Sequence, residues 1–103
     1  MFDEDDPVEI LEEIKNRARD NAFSYAGGAF ERMVERCLYE EDVQRAFSTA
    51  TLDGIFHDSP ERKSYALHGF GMNEDTLLLH CRLSRTRLVV IDVDRAPELP
   101  GLP

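Results

Sequence analysis

Cysteine is scarce in this chain, and the two that occur form no motif. Cys37 and Cys81 lie far apart among 103 residues, and there is no Cys-x-x-Cys spacing. The first residues are acidic, whereas a signal peptide requires a basic flank before its apolar stretch. Because disulfides are rare in proteins that are not exported, we expect reduced thiols and a cytoplasmic location.

Metal-ligand spacing and long apolar runs are also missing. The three histidines, His57, His68 and His80, show none of the paired spacing that is typical of zinc ligands. No apolar run approaches the roughly eighteen residues that a membrane-spanning helix needs. We therefore expect no metal, no cofactor and no membrane contact.

Basic residues are in short supply. Twelve Lys and Arg stand against 21 Asp and Glu, which gives a net charge of −9. Phosphate contacts need a concentrated basic surface, so this balance argues against a nonspecific nucleic-acid binder, and we expect RNA binding to be weak. The deficit is uneven, because residues 1–20 alone carry eight acidic and three basic side chains. A local basic patch therefore remains compatible with the rest of the chain.

The acidic start of the chain admits two interpretations. It can be a solvated helix face with a solubilising tail, or an arm that meets a basic partner or covers a basic groove. We prefer the first interpretation, because charge runs are more often solvated than engaged.

The patterning of the chain switches from helical to period two near residue 50, which predicts an α+β domain. A length of 103 residues suits one domain. We expect an N-terminal helix and a helical pair packed on a small antiparallel sheet. Residues 1–20 form an acidic N-terminal segment and helix, residues 21–95 a single α+β domain, and residues 96–103 a proline-rich tail.

The first helix is predicted over residues 7–19. Asp6 can cap it, and Pro7 suits its first position. Apolar residues recur at helical spacing and predict its buried stripe, which consists of Val8, Leu11, Ile14 and Ala18.

A helical pair is predicted over residues 28–48. In its first member the i, i+3, i+4, i+7 pattern predicts a buried stripe of Phe30, Met33, Val34 and Cys37. A second stripe, with a spacing of four residues, consists of Gly28, Arg32 and Arg36. The second member should begin at Glu40 or Glu41 and end near Ser48. Its residues that face the core should be Val43, Ala46 and Phe47.

Strands are predicted over residues 51–57, 64–70, 76–83 and 88–93, with an edge strand at 23–26. A short loop, Ser84-Arg85-Thr86, joins the last two main strands into a hairpin. Residues 88–93 are apolar on both faces, which indicates a central strand. In the strand over 76–83, His80 and Arg82 share one face.

Arg32, Arg36 and His80 are the residue types that metal-independent RNA cleavage uses. Such cleavage needs a base for the ribose 2′-OH, an acid for the leaving 5′-oxygen, and cations that hold the phosphate. Arginine binds phosphate through its planar fork, and His80 can act as the acid or the base. Arg82 is a candidate for substrate binding on the same strand face.

An alternative interpretation needs no active site. Arg32 and Arg36 can pair with neighbouring glutamates on a solvated surface, and His80 can be a half-buried histidine of the sheet. The spacing alone favours this alternative over catalysis.

Several short motifs occur in the order that a known family shows: Gly28-Ala29, Arg32-Met33, Arg36, Asp42-Val43, Leu67-His68-Gly69, Leu79-His80, the apolar strand 88–93 and Pro97. On these motifs the run from Tyr25 to Pro97 resembles the small bacterial proteins of domain-of-unknown-function family 4258. That family is similar in fold to the toxin ribonucleases of the BrnT and RelE type. The resemblance implies this fold and a link to toxin-antitoxin or similar two-component loci.

Two positions depart from the family pattern. Gly28 stands where the family has a histidine that opens the helix, and Asp92-Val93-Asp94 stands where the last strand ends in an aromatic residue. In comparison with the family, both changes remove groups that look catalytic. Two carboxylates beside a phosphate site would also repel RNA.

Two functions from different classes follow. The first, which we prefer, is a catalytically impaired protein that acts by protein binding in a toxin-antitoxin-like or related system, with its acidic helix and sheet edge meeting an antitoxin-like or other partner. The second is an active metal-independent endoribonuclease toxin that uses His80, Arg32 and Arg36.

Overall fold

Three helices and five strands follow one another along the chain in the computed structural model, which describes residues 6–59 and 62–96. They are α1 (Pro7–Arg19), β1 (Phe23–Tyr25), α2 (Ala29–Glu35), α3 (Glu40–Ser48), β2 (Thr51–Ser59), β3 (Arg62–Phe70), β4 (Thr76–Leu83) and β5 (Leu88–Arg95). The acidic first five residues, positions 60 and 61 and nearly all of the predicted tail lie outside the described residues.

The five strands form one sheet in the order β1-β5-β4-β3-β2. The α+β prediction is confirmed, and β4 and β5 form the predicted antiparallel hairpin. The prediction that the whole sheet is antiparallel was wrong, because β1 pairs in parallel with β5, from Phe23 beside Leu88 to Tyr25 beside Val90. The two strands are far apart in sequence, so no hairpin turn forces them to run in opposite directions.

Helix α1 has the predicted bounds. The Asp6 carboxylate caps it by accepting a hydrogen bond from the Val8 backbone N–H at 3.0 Å. Its buried residues are Ile10, Ile14 and Ala18, which repeat every four positions along one face. The prediction that Val8 is buried was wrong, since Val8 is 72% exposed. Residues two positions apart in sequence are separated by about 200° around an α-helix, so Val8 lies on the side opposite Ile10.

The buried stripe predicted for α2 was also wrong. Met33 is buried, but Phe30 and Val34 are 48% and 54% exposed, and Cys37 is exposed. The helix ends at Glu35, and Cys37 adopts a left-handed conformation with φ 57°. The Leu38 N–H donates to the Met33 carbonyl at 2.9 Å, which closes a Schellman turn. The chain therefore turns before Cys37 can face the core.

The other residues that anchor α2 lie at its ends. Ala29 opens the buried side four positions before Met33, and Leu38 follows the turn into the core. The buried residues of α2 and of the turn that follows it are therefore Ala29, Met33 and Leu38. The predicted stripe was Phe30, Met33, Val34 and Cys37.

Helix α3 packs directly on β3. Its inward residues Val43, Ala46 and Phe47 are fully buried, as predicted. A Cβ atom on Gly69 would lie 2.0 Å from the Ala46 carbonyl oxygen, so only glycine permits this close approach.

The two faces of the sheet differ. Leu77, Leu79 and Cys81 of β4 point into the core, together with Val90 and Val93 of β5. The alternate residues of β4, Leu78, His80 and Arg82, lie on the other face, which we call the open face. In the part of the chain that the structure describes, no helix is long and apolar enough to cross a membrane.

Candidate functional site

The predicted arginines lie against the edge of β5. Strand β1 pairs only with residues 88–90, so the later part of β5 has no neighbouring strand on that side. Helix α2 brings Arg32 and Arg36 to this stretch, as their spacing of four predicts. Arg32 Nη2 donates to the Ile91 carbonyl at 2.9 Å, and Arg36 Nη1 donates to the Val93 carbonyl at 2.6 Å. The two side chains thus satisfy backbone groups that a sixth strand would otherwise use.

Both arginines also bind the Asp92 carboxylate. Arg32 Nε lies 3.2 Å and Arg36 Nη1 lies 2.8 Å from the same Oδ1 atom. Asp94 Oδ1 lies 3.7 Å from Arg36 Nε. The predicted pairing of these arginines was with carboxylates of the helices, whereas the carboxylates that they contact come from β5.

The Asp92 carboxylate is held ionised by its partners. Partial burial acts to raise its pKa, but the hydrogen bonds from Arg36 and Arg32 outweigh burial and leave the pKa below its ordinary value. The same hydrogen bond raises the pKa of the Arg36 guanidinium. The cluster is therefore a set of neutralised ion pairs at neutral pH.

His80 lies beside this cluster on the open face. It stands opposite Asp92 in the β4–β5 register and opposite Ala66 in the β3–β4 register. Directly paired residues point to the same side of a sheet, so Asp92 lies between His80 and the two arginines. The Phe56 ring meets the His80 ring edge-on, with centroids 6.4 Å apart. The register thus places His80 on the strand position beside Asp92, the carboxylate that Arg32 and Arg36 bind.

Arg82 lies two residues further along the same face of β4, opposite Val89. No hydrogen bond or ion pair joins it to another residue in the ranges 6–59 and 62–96. Among the cations predicted for the site, it is the one with an uncommitted guanidinium.

Gly28 occupies the position where the resembling family has histidine. It precedes α2 with φ +79°, in the left-handed region. A Cβ atom there would lie 2.7 Å from Arg32 Nη1. A side chain at this position would therefore be strained and would displace the Arg32 guanidinium.

A second histidine on the open face was not predicted to take part in a site. His68 Nδ1 lies 2.8 Å from both carboxylate oxygens of Asp53. Asp53 lies at an irregularity in β2, where the pairing with β3 skips one residue. Sequence patterning carries no signal for such a skip, so the pair could not be found before the structure.

The site offers little for a metal or for thiol chemistry. Within the described ranges, no three His, Cys, Asp or Glu side chains come together as a metal-binding set. Burial raises the pKa of the Cys81 thiol, which keeps it protonated in the core.

The arrangement can hold a histidine beside two cations, but both cations are engaged. An incoming phosphate would have to replace the Asp92 carboxylate and compete with two backbone carbonyls. His80 itself remains accessible beside Phe56 and Arg82 on the open face.

No protein-family model, no curated protein and no solved structure matches this chain. The fold class therefore stands on the structure itself. The resemblance to family 4258 and to BrnT and RelE proteins stays a prediction.

Proposed function

We propose that this is a small bacterial, cytoplasmic protein with a toxin-ribonuclease-like fold, that it is catalytically impaired, and that it acts by protein binding in a toxin-antitoxin-like or related system. The observation that carries the proposal is the engagement of Arg32 and Arg36 by Asp92 and by the β5 backbone. The cations suited to a phosphate are already bound within the molecule.

The electrostatic balance supports the same proposal. Two arginines beside one phosphate would be an attractive site, but Asp92 and Asp94 bring two opposing charges to the same place. The whole chain carries −9, so long-range attraction to RNA is absent as well. A protein partner imposes no such requirement for a basic surface.

An RNA-cleavage assay tests the proposal. We expect the wild type to leave single-stranded and ribosome-bound RNA intact, and its overexpression to leave growth unaffected. A general acid or base typically contributes about 10²-fold to 10⁴-fold. The absence of the histidine that the resembling family has at position 28 would therefore remove most of the rate by itself. Robust cleavage by the wild type that is abolished in His80→Ala would overturn the proposal.

A second candidate function is the active endoribonuclease that uses His80, Arg32 and Arg36. It is favoured by the position of His80 next to the arginine cluster and by the uncommitted Arg82 on the same face. Substrate would have to displace Asp92 from the arginines. Under this alternative, Asp92→Asn should increase the cleavage rate, and adding His80→Ala to that variant should abolish cleavage.

The variant Gly28→His is a poor test of a missing catalyst. The left-handed backbone and the 2.7 Å approach to Arg32 mean that the new ring perturbs the arginine as well. Asp92→Asn keeps the shape of the side chain and removes its charge, so it changes the site at one point only.

A further inference from the structure

Strand β2 is an open edge of the sheet. It spans nine residues, Thr51–Ser59, and pairs on one side with β3. In the described part of the chain, no backbone hydrogen bond joins residues 51–59 to any element other than β3. A row of backbone donors and acceptors therefore faces outward, which is the template for adding a strand.

The opposite edge of the sheet is closed. Strand β1 covers the start of β5 with three residues, and the arginines of α2 bind the Ile91 and Val93 carbonyls beyond it. Within the described ranges, side chains thus block the β5 edge, whereas no element pairs with the outer side of β2. This asymmetry directs any added strand to β2.

Two aspartates interrupt β2. Seven of its nine residues have a paired residue on β3, and the two that do not are Asp53 and Asp58. Between them, the run from Gly54 to His57 pairs regularly with β3. The strand contains neither lysine nor proline, two residues that protect edges, but its irregularities at Asp53 and Asp58 limit an added strand to this run of four residues.

The same aspartates disfavour a second copy of this chain as the occupant. If the regular run from Gly54 to His57 pairs antiparallel with itself about a two-fold axis, Asp53 of each copy lies opposite Asp58 of the other. Like charges directly opposite each other destabilise a strand pair. Each copy also carries a net charge of −9, which adds repulsion over longer distances.

The charges beside β2 are of both signs. In the pairing with β3, Lys63 stands opposite His57 and Arg62 stands opposite Ser59, on either side of Asp58. Asp58 nevertheless forms no hydrogen bond or ion pair with a residue that the structure describes, so its carboxylate is available to a partner. The Asp53 carboxylate is held by His68 Nδ1 at 2.8 Å.

We propose that the free edge of β2 binds an extended basic segment of a partner protein, which adds as a sixth strand. Lysine or arginine side chains of that segment lie opposite Asp53 and Asp58 and flank about four residues paired with the run from Gly54 to His57. This inference rests on the proposed function, because it names the surface and the partner chemistry through which protein binding occurs.

The test uses a probe peptide of eight residues in which two lysines flank four alternating valine and threonine residues. A control peptide has glutamate in place of both lysines. Amide chemical shifts and hydrogen exchange of the full chain are followed during titration with each peptide. We expect the lysine peptide to shift and protect amides of residues 51–59, and the glutamate peptide to bind at least about tenfold more weakly.

Variants of the chain separate local charge from total charge. Asp53→Asn with Asp58→Asn should weaken binding of the lysine peptide by about threefold to tenfold. Glu31→Gln with Glu35→Gln changes the net charge equally on α2 and should leave binding unchanged. Because Asp53 also holds His68, the single variant Asp58→Asn provides a version in which that contact is intact, and it should show part of the loss.

Several results would overturn the inference. They are shifts centred on α2 or on Asp92, equal affinity for both peptides, no binding at millimolar peptide, or self-association of the chain through β2 in sedimentation. These failures are distinguishable from failure of the proposed function, which is decided by RNA cleavage and its loss in His80→Ala. A protein without cleavage and without peptide binding would retain the first proposal and lose the second.

Discussion

At the scale of single residues, Asp92 decides what the candidate site can do. It lies two residues before Asp94, which stands where the resembling family is expected to have an aromatic residue, and it accepts hydrogen bonds from both arginines that a phosphate would use. The sequence predicts the two arginines and His80 as candidate site residues, and it predicts that Asp92 repels RNA. It does not predict that Asp92 binds both arginines, because a contact between residues about 60 positions apart depends on the fold.

Asp92→Asn should destabilise the protein by about 1 kcal/mol at pH 7, the upper range for exposed ion pairs. The pKa of Asp92 is lowered in the folded protein, so its contribution is present above its ordinary value of 3.8 and is lost as the pH falls through the folded value. Urea unfolding of both proteins at several pH values between 7 and 2.5 measures the difference. It should shrink toward zero at the acidic end.

A matched control for this pH series is Asp58→Asn, since Asp58 makes no hydrogen bond or ion pair with a residue that the structure describes. Its effect should be small at every pH. A difference for Asp92→Asn that does not change with pH would mean that the carboxylate charge is not what the arginines stabilise.

Cys37→Gly should stabilise the protein by about 0.5 to 1 kcal/mol. Cys37 has φ 57° at the end of α2, where glycine adopts the left-handed conformation without a steric penalty. Thermal melting under reducing conditions measures the change. Cys37→Ala is the control, because alanine keeps the penalty, and an equal gain from both variants would contradict the explanation.

Ser64→Ala should be neutral or stabilising by up to about 1 kcal/mol. The Ser64 side chain is fully buried, and its Oγ has no hydrogen-bond partner among the described residues. Removing a buried polar atom without a partner also removes its desolvation cost. Urea unfolding measures the effect, and a loss of more than about 1 kcal/mol would show that the hydroxyl has a stabilising contact.

At the scale of elements, the contact between α3 and β3 depends on Gly69. Gly69→Ala should destabilise the protein by about 3 kcal/mol or more, because its Cβ would lie 2.0 Å from a backbone carbonyl that cannot move alone. Gly27→Ala is the matched control, since nothing lies within 4 Å of its added Cβ. Urea unfolding of both variants tests this, and equal stability would contradict the close packing.

How well each helix and strand could be predicted depended on its length and on the residues at its ends. Helix α1 has a capping residue, a favourable proline and three turns of pattern, so its bounds were predicted from sequence. Helix α2 has two turns and ends in a left-handed residue that is not glycine, so its buried face was assigned wrongly. The parallel pairing of β1 could not be predicted, because three residues carry no signal of direction.

At the scale of the whole molecule, the two edges of the sheet are treated differently. The β5 edge is closed by arginine side chains whose charges are balanced by Asp92 and Asp94. Among the described residues, no strand pairs with the outer side of β2, which carries Asp53 and Asp58. The net charge of the molecule is −9, and Arg32 and Arg36 are bound by carboxylates of the same chain. This distribution is the physical basis for preferring protein binding over RNA cleavage.

The most direct measurement of that preference is the salt dependence of binding to a single-stranded RNA, for the wild type and for Asp92→Asn. For single strands, the logarithm of the affinity falls by about 0.7 per neutralised phosphate for each unit of log salt. If Asp92 keeps Arg32 and Arg36 from phosphate, the wild type should bind very weakly with a shallow slope. Asp92→Asn should bind more tightly, with a slope steeper by up to about 1.4. Tight wild-type binding with a steep slope that Asp92→Asn leaves unchanged would contradict the account.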